Sequence, residues 1–261
     1  MKANSFLALC SLATALWGCS SEQESNTSEN MILRINSCYA MGEEQGEIND
    51  FGMFLTTQDG AIFDANGNNA HVTQDHGLWE TPSITISPDQ SAQLFAYCPY
   101  TEDATVTNIP VCISSQTDYL YSKGQTVTYS SYTPSIELYH LLSKITIQIN
   151  DEAVESLSVS GYPEDGTLNL YEGTLSKGKT NTTVMSEDNG ILLFPGYNDI
   201  VIDITYQGNS YHYPLTIDLE SGKEYIYSLV LQQNNKLEIS KVTIINWETG
   251  GNYEGTIETG I

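Results

Sequence analysis

Apolar residues recur along this chain with a period of two, the spacing of β-strands with one buried face. Met31, Leu33 and Ile35 alternate with Ile32, Arg34 and Asn36. Phe51, Met53 and Leu55 form the next alternation, and Ala92 to Tyr97 reads as a more buried strand. Ile145, Ile147 and Ile149 alternate with Thr146, Gln148 and Asn150. Turn residues such as Pro195-Gly196 and Gln207-Gly208-Asn209 separate the runs. Strands therefore recur about every 8–14 residues, the spacing of antiparallel sandwiches. Helical patterns are scarce, so the expectation is an all-β protein.

At roughly 100–200 residues per domain, 261 residues make one large or two modest domains. The only plausible seam is near Tyr132-Thr133-Pro134. Roughly fourteen strands would split there into two sandwiches of about seven. The expected domains are residues 31–134 and 135–261, with Glu137 to Leu142 crossing between them.

The residues before 31 read as an address. Lys2 and an apolar run from Phe6 to Trp17 make an export signal, too short for the ~20 residues of a membrane-spanning helix. It ends in Leu16-Trp17-Gly18-Cys19, which resembles a bacterial lipobox despite the bulky Trp17. That resemblance implies a signal peptide over 1–18, with Cys19 acylated as the first mature residue. Residues 19–30 are a polar tether. The expected location is the cell surface, on the outer membrane through the lipid on Cys19.

Charge excludes a function class. Nine basic residues against 33 acidic ones give a net charge of -24. That is too few cations to neutralise phosphates, so nucleic acid is excluded as a partner. Seventeen tyrosines speak against a disordered acidic chain.

No catalytic or metal constellation emerges, and no cofactor is expected. His71, His76, His140 and His212 stand in no recognised motif; His71 and His76 read as a polar loop, His140 as a packing residue and His212 as a surface strand residue. Asp64, Asn66 and Asn68 alternate like the opening of a calcium loop, but the sixth position is Asn69 and the twelfth Asp75. An Asx turn is the better reading. Besides Cys10 and Cys19 there are Cys38, Cys98 and Cys112; Cys98 and Cys112 could pair across neighbouring strands, or all three could be buried thiols. Arg34 is the only arginine, and no lysine lies between Cys19 and Lys123. A trypsin-like protease acting on that stretch has one target, after Arg34. On the alternation alone, Arg34 is a solvent-facing strand residue.

Several segments together resemble one family. Phe95-Ala96-Tyr97-Cys98-Pro99-Tyr100 is similar to the "AYYPY" strand end of fimbrillin-family proteins from Bacteroidia. Asp118-Tyr119-Leu120-Tyr121 is similar to their "DLLY" element, and His140-Leu141-Leu142-Ser143-Lys144-Ile145 to "H-x-x-A/S-K-I/V". Gly222 to Leu229 looks like "G-x-x-Y-x-Y-x-L", Val242 to Trp247 like the closing "I-x-x-W", and Phe51 to Phe54 like "IGVF". The resemblance implies two tandem transthyretin-like antiparallel β-sandwich domains and a role in fimbriae as stalk, tip or anchor. It implies other fimbrial subunits as partners, assembly by β-strand addition, a host or bacterial surface ligand where the role is adhesive, and no enzymatic activity. Arg34 is then the candidate processing site, with Met31 to Ile35 in the displaced strand. Tyr253, Ile257 and Ile261 in the tail would supply a modest donor strand. The rival reading is a lipid-anchored glycan-binding β protein of an outer-membrane nutrient-uptake system.

Overall fold

The structure, a computed structural model, describes residues 30–42 and 48–246 and the backbone of Gly255–Thr256. Cys19, Trp247 and the tail residues Tyr253, Ile257 and Ile261 lie outside the described residues.

The described chain is all β apart from one 3-10 turn at Ala65–Gly67. In the first sheet the strands lie in the order Ser37–Ala40, Ser135–His140, Leu120–Tyr121, Ser91–Cys98, Asp50–Thr56, Ala70–Asp75 and Leu78–Glu80. Gln125–Thr128 also pairs with Ser91–Cys98. A second sheet runs Glu152–Ala153, Ser143–Ile149, Lys223–Leu231, Leu237–Asn246 and Gly255–Thr256, with Gly190–Leu193 also on Ser143–Ile149. A third runs Asn181–Ser186, Ser156–Pro163, Gly196–Tyr206 and Asn209–Leu219. Pairing is antiparallel throughout except at two places. Ser37–Ala40 lies parallel to Ser135–His140, and Ser143–Ile149 lies parallel to Lys223–Leu231.

Local chemistry explains the tight hairpins. His76-Gly77 and Gln207-Gly208 each place two successive residues at positive φ, the conformation of a two-residue turn that matches strand twist. His71 differs from its expected loop position: it sits on strand Ala70–Asp75, its Nε2 2.8 Å from Asp50 and its ring stacked on Tyr100. Polar residues hid this strand, because its outer face is solvated.

Burial divides into two hydrophobic clusters. One gathers Leu33, Ile35, Phe51, Met53, Leu55, Leu94, Ile136 and Leu138. The other gathers the apolar residues of the second and third sheets, and also Phe54, Phe95 and Tyr97 from the opposite face of the first sheet. Strands Asp50–Thr56 and Ser91–Cys98 are thus buried on both faces, and the first sheet is a shared wall. Gly52 makes this possible: a Cβ there would stand 2.1 Å from the Tyr97 ring, which lies over the glycine.

Two further features come from tertiary structure. Ser135–His140 is a strand of the first sheet, and the chain passes to the second at Leu141-Leu142. In addition, Ile109–Cys112 leaves its sequence neighbours to pair with Asp165–Asn169, itself paired with Thr174–Lys177. Ile109, Val111 and Ile113 are buried in the second cluster, where they join the two halves of the chain.

Two of the family-like motifs meet in the second sheet. Lys144 lies opposite Glu224 in the parallel pair, with Nζ 3.5 Å from Oε1. The Thr146 hydroxyl donates to the same carboxylate, and Ser143 Oγ donates to the Glu220 carbonyl at 2.7 Å.

Candidate assembly surface

The leading segment, residues 31–41, is an extended strap across the first cluster. Met31–Ile32 pairs antiparallel with Thr85–Ile86. Leu33 N–H then donates to the Ile84 carbonyl at 2.9 Å, and Arg34 N–H donates to the Tyr132 carbonyl at 3.0 Å. Successive amides point to opposite sides, so the segment changes partner at Arg34. Asn36 N–H donates to the Pro134 carbonyl at 2.8 Å, after which Ser37–Ala40 runs parallel to Ser135–Leu138 as the outermost strand of the sheet. Tyr39 hydroxyl donates to Glu137 at 2.9 Å and Met41 N–H to the Leu138 carbonyl at 2.8 Å.

Side chains follow the expected alternation. Leu33 is 0% exposed and Ile35 6%, while Arg34 between them faces solvent. The strap therefore inserts the Leu33 and Ile35 side chains into the first cluster. Of the two site residues read from the sequence, Arg34 is exposed on the strap and Cys19 lies outside the described residues.

Two other edges lie at the far half. Asn209–Leu219 is the outer strand of the third sheet and carries Pro214 opposite Val201, an edge placement that needs no inner amide. Tyr211, Tyr213 and Pro214 face Leu237 and Glu238 across a groove of about 530 Å³. The backbone of Gly255–Thr256 pairs with Thr243 and Ile244 on the outer side of Leu237–Asn246.

The other candidate sites resolve into packing. Asp64 caps the 3-10 turn, its Oδ1 accepting from Asn66 N–H at 2.8 Å. Asn69 is turned away from any calcium geometry: its Nδ2 donates to the carbonyls of Thr101 and Glu102, and its Oδ1 accepts from the Tyr97 hydroxyl. Among the described residues no group of three or more potential metal ligands converges. His212 lies on an exposed strand and pairs with Asp203. His140 is buried, with Nδ1 2.6 Å from Asp118 Oδ2 and Nε2 3.2 Å from the Met41 carbonyl. The motif series contained His140 and Asp118, but nothing in it pointed to Met41 as a partner.

Cys38, Cys98 and Cys112 are free thiols, so the pairing of Cys98 with Cys112 does not occur. Cys98 ends its strand opposite Leu120, while Cys112 lies opposite Asp165 on the bridging strand. Burial, aided by nearby Cys98, pushes the Cys38 thiol far up. Burial, with Asp50 and Asp118 nearby, pushes Cys98 up to about 11. A raised thiol pKa leaves less thiolate, the reactive form, near neutrality. Iodoacetamide at about pH 8 should label exposed Cys112 first, with Cys38 at least about a hundredfold slower until denaturant is added. Peptide mass mapping of the time course checks this, and comparable rates for Cys38 and Cys112 would contradict the buried position of the leading strand.

Stacked sheets, two apolar clusters and open strand edges define an all-β structural module. The comparisons agree with that class. The fimbrillin-like family profile matches residues 41–247, and the chain belongs to this family. That family is one of structural and adhesion proteins, not enzymes. Similar folds occur in a protein assigned to cell adhesion from Bacteroides uniformis, at 20% identity and TM-score 0.65, covering 84% of this chain and 99% of the other. A second, from Bacteroides ovatus, has 16% identity and TM-score 0.61, with 83% and 98% covered. A fimbrial assembly protein from Parabacteroides distasonis has 10% identity and TM-score 0.54, with 88% and 98% covered. Among curated proteins nothing matches.

Proposed function

We propose that this chain is a fimbrial subunit of the bacterial surface that assembles by exchanging strands. In this reading the segment up to Arg34 leaves the fold and an extended segment of a neighbouring subunit takes its place. The observation that carries it is the fully buried Leu33 beside exposed Arg34, on a strap whose first two residues form only a short antiparallel pair. Departure of residues 31–34 uncovers Ile84 and Ile86, both fully buried, and frees the Ile84 and Tyr132 carbonyls. An unpaired edge above an apolar floor strongly favours an incoming strand: main-chain hydrogen bonds supply affinity and alternate side chains supply register. Before processing, acylated Cys19 would tether the subunit to the outer membrane.

Mass spectrometry of the surface-exposed mature form tests the reading. Chains starting at Ile35 in a polymer fraction are expected of an exchanging subunit. An acylated Cys19 terminus identifies an anchor or unprocessed subunit. Chains that remain monomeric after a cut at Arg34 and take up no strand would refute strand exchange.

A further inference from the structure

His140 ends the strand that carries the leading segment, and among the described residues its buried ring contacts a carboxylate oxygen and a carbonyl oxygen, both hydrogen-bond acceptors. Nδ1 faces the Asp118 carboxylate and Nε2 faces the Met41 carbonyl. A neutral imidazole donates from one nitrogen alone, whereas the imidazolium donates from both. With Asp118 ionised, both contacts are therefore hydrogen bonds only while the ring is charged. Asp118 supplies the countercharge, and its Oδ1 is buried with no hydrogen-bond partner among the described residues.

The groups around the ring among the described residues are as follows. His140, Leu120 and Cys98 form one cross-strand row on the face of the first cluster. Cys38 enters that cluster from the leading strand, and Tyr121 and Tyr139 are paired one position along. Asp50, on the next strand beyond Ser91–Cys98, acts electrostatically on Cys98. Among the described residues Asp118 places a carboxylate in contact with the ring.

We propose that His140 is a proton-operated latch: charged, it fastens the Met41 end of the leading segment to the Asp118 loop. The consequence, which rests on the strand-exchange reading, is a fixed point of separation. Residues up to Arg34 leave, while residues 35–41 stay on the first sheet. Loss of the ring proton removes one of the two donors, so the latch holds at low pH and slackens as pH rises past the histidine range.

Hydrogen exchange read by mass spectrometry on the uncut chain tests the latch itself. Between about pH 6 and about pH 8.5, protection of residues 35–41, corrected for intrinsic exchange, should fall about tenfold. In His140→Gln it should be low and independent of pH, with Ser143–Ile149 keeping its protection as the sign of an intact fold. Equal protection of 35–41 in wild type and His140→Gln, or none of the pH dependence in wild type, would overturn the latch. Should His140→Gln fail to fold, the wild-type pH series decides alone. In chains cut after Arg34, retained protection of 35–41 supports the fixed point of separation; its loss, with the uncut latch intact, rejects that consequence without touching the latch.

Discussion

A chain that begins at Ile35 will unfold its first half at a clearly lower denaturant concentration than one that begins upstream. Leu33 is wholly buried, and loss of such a leucine side chain costs about 2–5 kcal/mol. The cut also removes the Met31↔Ile86 and Ile32↔Thr85 pairing and the Leu33-to-Ile84 hydrogen bond. Trp79 packs against Phe51 in the first cluster, with ring centroids 5.1 Å apart, so its fluorescence reports that half in a Trp247→Phe background. The substitution Leu33→Ala should reproduce most of the loss without any cut. A synthetic extended peptide that occupies the vacated strap should restore stability by mass action, by about 2.7 kcal/mol at a hundred times its Kd. If the urea midpoint of the Ile35 chain matched that of the longer one, the strap would be an ornament rather than a structural member.

The second large effect is expected at the bridging strand. Val111 is 1% exposed, opposite Gly166, in a cluster that runs from Phe54 and Tyr97 to Phe194 and Tyr227. Val111→Asp forfeits the burial of a valine, about 1.5–3 kcal/mol. It also forces a carboxylate into an apolar interior, opposite a glycine, which adds several kcal/mol more. A total loss above about 4 kcal/mol follows, close to the whole stability of many domains. Val111→Ala at the same place should cost less than half as much. Thermal unfolding followed by circular dichroism measures both. Near-native stability of Val111→Asp would mean that Ile109–Cys112 does not hold the two halves together.

These positions show where reading along the chain succeeds. The alternation at Met31 to Ile35 and at Ile145 to Ile149 is visible in sequence, because period-two burial is a local property of an extended backbone. The same alternation turns Arg34 to solvent, where the structure has it. The turn at Gln207-Gly208 was legible for the same reason, since positive φ is a property of one or two residues. The strand character of Ala70–Asp75 was not, because solvated residues on its outer face break the apolar rhythm. The cysteine pairing failed for another reason: adjacency of strands depends on topology, and Ile109–Cys112 pairs with a strand more than fifty residues further on.

The sequence by itself determined the all-β class, the family and the faces of most strands, because alternation and turn chemistry act within a few residues. Only the tertiary structure decided that the leading strand lies parallel to Ser135–His140, that the first sheet is a wall shared by two apolar clusters, and that His140 reaches the Met41 carbonyl across 99 residues of sequence. Such contacts form when the gain from burial exceeds the entropy of closing a long loop. That balance belongs to the assembled chain and leaves no mark on the residues nearby in sequence.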